Sequence, residues 1–480
     1  MIMQAGIGCA MGALLRIPTP LEACAMQSAT QPQPDQDAPG AGLSHATVVR
    51  KGLMVGAVIV LCSIPFFRRY DGRDHPVSLD EIYWIGQTYY YHLAFERMQW
   101  SHPDWLLLPA RENPPLGKYI IGLGLQLNGL SVTNVDWLGV YYHIISKGWG
   151  QGREREQPQA VLDRMQPAVR ELAVNQEHFE YPVQYATTAR AVMLAFGVLS
   201  VVTVFVLTSL YTSRLTAFLA ALLFSLHPAV VSSYTEVGVD ILAIEFSLLA
   251  VIHFVLIERR TWRRRARPGL FRILVCTSGG LSLAFAVGSK VNAAVVGFLG
   301  AILCLFFMVS FLRHQSHEAK ESCMAMFILL VISFVIFVGS NPVNYPDPVA
   351  GLWAGYAEPQ RMLHIQQAVL PAPLQTWSER LRATADLTAF HPAVFGLIVG
   401  AFVVQVIAAR RAGPSLPVIA LWWLIAFVAV TAWLPFARPR YMLPVIAPSL
   451  ILVAGAGDRL FSWLRRRKPA VVTSDSRPGL

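Results

Sequence analysis

Charge is what this chain has least of. Asp, Glu, Lys and Arg make up 14% of its 480 residues, against 54% that are hydrophobic; a soluble domain carries about 25% charged residues. The mean hydropathy of +0.47 agrees, so lipid is the solvent for much of the protein. Cysteine is also scarce. Of the six, Cys9 and Cys24 lie in the amino-terminal tail, while Cys62, Cys276, Cys304 and Cys323 lie in or beside apolar runs. None has metal-ligand spacing, so neither a metal site nor structural disulfides are expected. No repeat of fixed period is visible, and the two halves do not mirror each other. The net charge of +10 sits in short clusters between apolar runs. That pattern orients a membrane protein and does not make a nucleic-acid surface, so no nucleic-acid partner is expected.

Apolar length is what the chain has in abundance. A span needs about 20 such residues, fewer if the ends snorkel. Ten segments qualify, at 51–67, 187–211, 215–232, 237–257, 271–289, 291–312, 323–340, 392–409, 416–435 and 441–457. With the amino terminus inside, the inside connections hold Arg50-Lys51, Arg214, the run Arg259 to Arg272, Arg313 with Lys320, Arg410-Arg411 and Arg465 to Lys468. This satisfies the positive-inside rule and leaves two long loops outside, 68–186 and 341–391. Residues 1–50 are expected to be a disordered cytoplasmic tail, because their mixed Gln, Pro, Asp, Ala and Gly composition has no period. Residues 51–457 form the membrane domain, and 458–480 a basic cytoplasmic tail. The expected fold is an all-α polytopic integral membrane protein with both termini cytoplasmic. Its working face is extracytoplasmic, on the cell (inner or plasma) membrane.

Within the first outer loop, Asp80-Glu81 follows the first span, and Asn113-Pro114-Pro115-Leu116-Gly117-Lys118 comes later. Two adjacent carboxylates beside hydrocarbon are costly, which points to use; their other reading is a cap on a helix starting at Ile82. Leu116 to Leu130 is apolar but too short to cross, and predicts a juxtamembrane helix behind Pro114-Pro115. Arg190 opens the second span and is either a snorkelling anchor or a site cation; Lys290 is either a turn residue or a phosphate contact. Asp240 and Glu245 are five apart on one helix and do not share a face, so Asp240 belongs to the outer end and Glu245 pairs inside the bundle. His227 and His391 each precede Pro at span edges and read as turn residues. Glu112, Glu154 and Glu156 read as surface charges, and the Gly-Leu stretches as helix-packing faces. Tyr345, Asp347, Trp353, Arg361 and His364 populate the second long loop, which is expected to cover a substrate.

An enzyme on the outer side has no nucleotide to draw on, so its donor must arrive already activated, for example as a lipid-linked phosphosugar. Transfer then needs a general base for an acceptor hydroxyl and cations for the departing phosphate. Asp80 suits the first role; Arg190, Lys118 and Lys290 suit the second.

Leu79-Asp80-Glu81 followed by Asn113 to Tyr119 resembles the acidic pair and His-Pro-Pro-Leu-Gly-Lys element of protein O-mannosyltransferases, in the GT-C class of glycosyltransferases. Similar echoes are Thr188-Ala189-Arg190, Asp240, Gly280 to Leu283 with Lys290, Asn341-Pro342 with Asp347-Pro348, and Arg440 to Pro444. The resemblance covers residues 52–457. It implies Asp80 as base, Glu81 placing the acceptor, Arg190 at the donor phosphate and no cofactor beyond a polyprenyl-phosphate sugar. The acceptor would be a hydroxyl on protein, lipid or glycan, and transfer would invert the anomeric carbon. Asn113 departs from the family's His, or from the Lys of the lipid A aminoarabinose transferases, and brings no charge. The rival reading is a polytopic transporter or flippase of a lipid-linked substrate, which would place charges near the bilayer midplane in paired broken helices.

Overall fold

The computed structural model describes residues 45–70, 78–133, 183–261, 267–369, 373–411, 418–434 and 437–466. The tail to residue 44, loop residues 71–77 and 134–182 (with His75, His143, Glu154 and Glu156), the arginines at 263–265 and the end from 467 lie outside the described residues. Among the described residues every regular element is helical. The longer ones are α1 His45–Tyr70, α2 Leu79–Gly86, α3 Leu116–Gln126, α4 Val183–Ser209 and α5 Arg214–Leu226. They continue with α6 Pro228–Thr235, α7 Asp240–Glu258, α8 Pro268–Ser289, α9 Ala294–His314 and α10 His317–Gly339. The last five are α11 Pro348–Val369, α12 Trp377–Ala389, α13 Pro392–Arg411, α14 Val418–Trp433 and α15 Leu443–Arg466.

All ten expected spans fall on helices, but not all are single straight crossings. Among the described residues six helices are long and apolar enough to cross a membrane, and up to eight if each of two bent pairs is one span. The bent pairs are α5 with α6, at 62°, and α12 with α13, at 90°. The apolar stretches Met54–Phe67 and Val418–Trp433 are shorter. These helices make the protein a multi-pass membrane protein. α1 begins at His45, before the boundary drawn at residue 50, and the expected loop 341–391 is largely the two helices α11 and α12.

The bundle centres on α7. Its sequence is apolar all round, as an interior helix must be, and 78% of its apolar window is buried, against 28% for α9 and α10, which therefore face lipid. α8 fits between α7 and α10 because Gly279 and Gly280 carry no side chain. A Cβ at Gly279 would lie 2.8 Å from the Cβ of His253, and one at Gly280 would lie 2.7 Å from Cγ2 of Ile332. Small residues let membrane helices approach where lipid supplies no hydrophobic drive.

Both bends occur at His-Pro. The Pro sits in the first turn of the second helix, where no backbone donor is needed. The His is the cap: Nδ1 of His227 accepts from the Ala229 amide at 3.2 Å, and Nδ1 of His391 from the Ala393 amide at 3.1 Å. His102 caps the short turn Pro103–Leu106 in the same way. The His227 ring packs on Phe390, 4.7 Å between centroids, so the two bends touch.

Candidate active site

Ser78 starts α2. Its hydroxyl accepts from the Glu81 amide at 3.3 Å, and Glu81 Oε2 accepts from the Ser78 amide at 2.9 Å, a reciprocal cap. Asp80 and Glu81 are therefore both at the positive end of a helix dipole. Successive residues on a helix point about 100° apart, so the two carboxylates face different surroundings.

Glu81 turns inward and is 1% exposed. Its Oε1 accepts from Arg190 Nε at 2.7 Å and from the Val237 amide at 3.0 Å, and its Oε2 from Arg190 Nη2 at 2.7 Å. Burial raises its pKa, but Arg190 and the Ser78 and Val237 amides outweigh that and hold it below the usual carboxylate range. A two-pronged arginine–carboxylate bond is the strong geometry for such a pair. It ties α2 to α4 and to the turn before α7. Arg190 is thus beside the acidic pair, with its fork engaged on Glu81.

Asp80 turns outward, with its side chain 44% exposed. Its Oδ2 accepts from Arg440 Nη2 at 2.7 Å and Arg438 Nη1 at 3.3 Å. Arg440 stands in the turn Pro439–Met442 that precedes α15. From there it feels Asp240 as well as Asp80, and its Nε is buried without a partner. Asp240 opens α7 and is ion-paired with Lys290, which caps the end of α8 and lies 5.2 Å over the Tyr441 ring. Asp80, Arg440, Asp240 and Lys290 form one alternating row. Beside it a cavity of about 30 Å³ is lined by Ile244, Val296, Trp422 and Leu443 together with Asp240, Lys290 and Arg440. Glu236, exposed after α6, lies in the field of Arg440, Arg190, Asp80 and Glu81.

Lys118 is elsewhere. It is wholly buried in α3, and its ammonium donates to the carbonyls of Pro109 at 2.5 Å and Asn113 at 2.7 Å, 4.9 Å from the Tyr90 ring. It closes the end of the short helix Leu108–Glu112, which has free carbonyls that attract a cation. Burial pulls its pKa down to about 7, with Glu112 opposing. Asn113 therefore serves Lys118 through its backbone. Leu116 and Gly117 dock this element on the core, because a Cβ at Gly117 would lie 2.6 Å from Val239 and one at Gly288 2.3 Å from Leu116.

Glu112, expected as a surface charge, is instead half-buried and takes the Tyr83 hydroxyl of α2. Burial raises its pKa; Tyr83 and Lys118 oppose, and Glu358 and Asp80 add to the rise. Glu245 is buried inside the bundle, as expected, and accepts from Thr203 at 2.9 Å. Three site residues had no role in the sequence reading: Arg438, Arg440 and Glu236. Arg440 lay in a quoted segment, Arg440 to Pro444, and its charge at a span's outer edge was the available signal. Among the described residues no group of three His, Cys, Asp or Glu is arranged to hold a metal ion.

The family model of dolichyl-phosphate-mannose-protein mannosyltransferase matches residues 172–345. No curated protein matches the sequence. Among solved structures, ArnT from Cupriavidus metallidurans bound to undecaprenyl phosphate is 16% identical with a TM-score of 0.48, covering 88% of this chain and 62% of that one. The oligosaccharyltransferase AglB of Archaeoglobus fulgidus, in complex with an inhibitory peptide and a dolichol-phosphate, is 13% identical with a TM-score of 0.48, covering 87% and 51%. An Archaeoglobus fulgidus oligosaccharyltransferase tethered to an acceptor peptide is 12% identical with a TM-score of 0.50, covering 87% and 50%. The chain thus spans from half to about three-fifths of the length of these structures. It has the fold of the GT-C glycosyltransferases.

Proposed function

We propose that this protein transfers a sugar from a polyprenyl-phosphate donor to a hydroxyl acceptor at the Asp80 end of the bundle. The observation that carries the reading is a half-exposed aspartate held by two arginines, one of which, Arg440, stands in the same charged row as Asp240 and Lys290. A lipid-linked phosphate needs cations beside a base, and this row supplies both.

The chemistry follows from the charges. Lys290 and Arg440 receive the donor phosphate. A phosphate arriving at Arg440 competes with Asp80 for the guanidinium. Donor binding then frees the carboxylate to act as base only when there is something to attack. Asp80 takes the proton of the acceptor hydroxyl as its oxygen bonds to the anomeric carbon. The bond from that carbon to the phosphate oxygen breaks, and polyprenyl phosphate leaves with both electrons. Attack opposite the leaving group inverts the carbon. The negative charge that builds on the phosphate is stabilised by Arg440 and Lys290, arranged beforehand. Glu81 and Arg190 hold α2 so that Asp80 points at the acceptor. The acceptor classes consistent with this are protein Ser or Thr, lipid and glycan, and no cofactor beyond the donor is required. The working face is extracytoplasmic, with both termini cytoplasmic.

The test is direct. Purified protein is incubated with a panel of radiolabelled polyprenyl-phosphate sugars and candidate acceptors, beside Asp80→Asn at equal amount and equal melting behaviour. Transfer by the wild type and its loss, by about a hundredfold or more, in Asp80→Asn is expected. Undiminished transfer by Asp80→Asn removes it as base.

A further inference from the structure

The opposite end of the bundle holds a second, larger cavity that the sugar-transfer reading does not use. α4 carries Arg190 near its start and is followed by Tyr211, 21 residues later, or about 30 Å along a helix. Around Tyr211 lies a cavity of about 580 Å³, within the roughly 300–1,000 Å³ of small-molecule sites. It opens between α9 and α10 on one side and α13, α14 and α15 on the other.

Its two ends differ in chemistry. At the polar end, Arg259 donates to the Leu210 carbonyl at 2.7 Å and stacks 4.6 Å over the Tyr211 ring. Arg260 pairs with Glu318. Arg459 of α15 and Gln405 of α13 have no hydrogen-bond partner among the described residues and line the same space. The Tyr211 hydroxyl is buried without a partner, a cost that a ligand oxygen bonded to it would remove. The other wall is apolar, with Phe306, Phe307, Ile419 and Ile451. Among the described lining residues three arginines stand with two glutamates, Glu258 and Glu318.

We infer that this cavity binds one anionic phospholipid, whose phosphodiester is the headgroup's only charge. The phosphate lies against Arg459, Gln405 and the Tyr211 hydroxyl, and an acyl chain lies along Phe307 and Ile451. The surplus of arginine suits an anionic headgroup, the unpaired donors match its oxygens, and the apolar lining residues suit a lipid tail. By the distribution of Lys and Arg between spans this is the cytoplasmic leaflet, where anionic lipid meets basic connections. A free phosphate would leave the apolar wall unused.

The experiment is native mass spectrometry of the delipidated full chain in detergent, titrated separately with phosphatidylglycerol, phosphatidylcholine and inorganic phosphate. One phosphatidylglycerol is expected to bind about tenfold or more tightly than phosphatidylcholine, whose trimethylammonium would be set among the arginines that line the cavity. Arg459→Ala is expected to remove that preference, and Ala408→Phe to weaken both lipids by filling the space. Arg459 is at the surface and Ala408 only partly buried, so a melting curve shows whether each folds; Arg459→Ala alone suffices if Ala408→Phe does not. Equal binding of the two lipids, a preference that survives Arg459→Ala, or inorganic phosphate binding as tightly as phosphatidylglycerol would each overturn the assignment.

Discussion

Glu81→Gln changes one oxygen for an amide nitrogen and leaves the shape of the side chain intact, yet the structure leaves that nitrogen nowhere to go. Placed at the Oε1 position, it meets Arg190 Nε and the Val237 amide, both donors; placed at Oε2, it meets Arg190 Nη2 and the Ser78 amide, again both donors. Either rotamer sets three donors against one another at about 3 Å and takes from Arg190, only 12% exposed, the carboxylate its fork engages. Breaking a buried pair in this way costs about 3–5 kcal/mol. Asp80→Asn should behave oppositely, since Asp80 is 44% exposed and pairs of that kind contribute about 0–1 kcal/mol. The assay is thermal unfolding in detergent, followed as loss of the monodisperse peak after timed heating, because membrane proteins of this size unfold irreversibly. Glu81→Gln is expected to lower the midpoint by several degrees and to lose activity only in proportion to the protein lost. Asp80→Asn is expected to keep the midpoint and lose the activity. A wild-type midpoint for Glu81→Gln would refute the reasoning.

The remaining predictions concern the residues around that pair. Lys118→Met should destabilise by about 1–3 kcal/mol by leaving the carbonyls of Pro109 and Asn113 unbonded, without raising the donor KM of the protein that survives; a raised KM at unchanged stability would return Lys118 to the donor site. Between about pH 7, the folded pKa, and the ordinary lysine range, the unfolded chain binds a proton that the folded chain does not. Wild-type stability should therefore rise with pH in that window relative to Lys118→Met, and parallel curves would show that Lys118 is charged when folded. Lys290→Met leaves Asp240 unpaired, so stability should return in the double variant Asp240→Asn/Lys290→Met while donor affinity does not; donor affinity recovered with stability would mean that Lys290 only neutralises Asp240. Gly280→Leu should cost about 1–3 kcal/mol through crowding against Ile332, whereas Gly339→Leu, with open space around it, should cost little; equal effects would refute the close α8–α10 contact.

Much of this was legible in the chain itself. Apolar length located the helices, and the carboxylate pair Asp80-Glu81 stands out because two acids beside a span are costly. Which member of the pair turns outward was not legible, since a shift of one residue turns a helix by about 100° and only docking through Arg190 and Val237 decides it. Lys118 was read as a phosphate ligand because a lysine after Pro-Pro shows its charge but not its burial. Arg440 escaped because its partner Asp80 is 360 residues away, a pairing that no local pattern records. The bends at 227 and 391 were read only as turns; the ring contact that joins them depends on how α12 returns to the bundle.

That contact has a consequence for how the molecule tolerates change. Since His227 and Phe390 share a wall, the corner that begins α6 and the corner that begins α13 behave as one joint. A residue inserted or deleted at either should misalign both, and a compensating shift at the other should restore order. The two places, far apart along the chain, are then constrained to vary together.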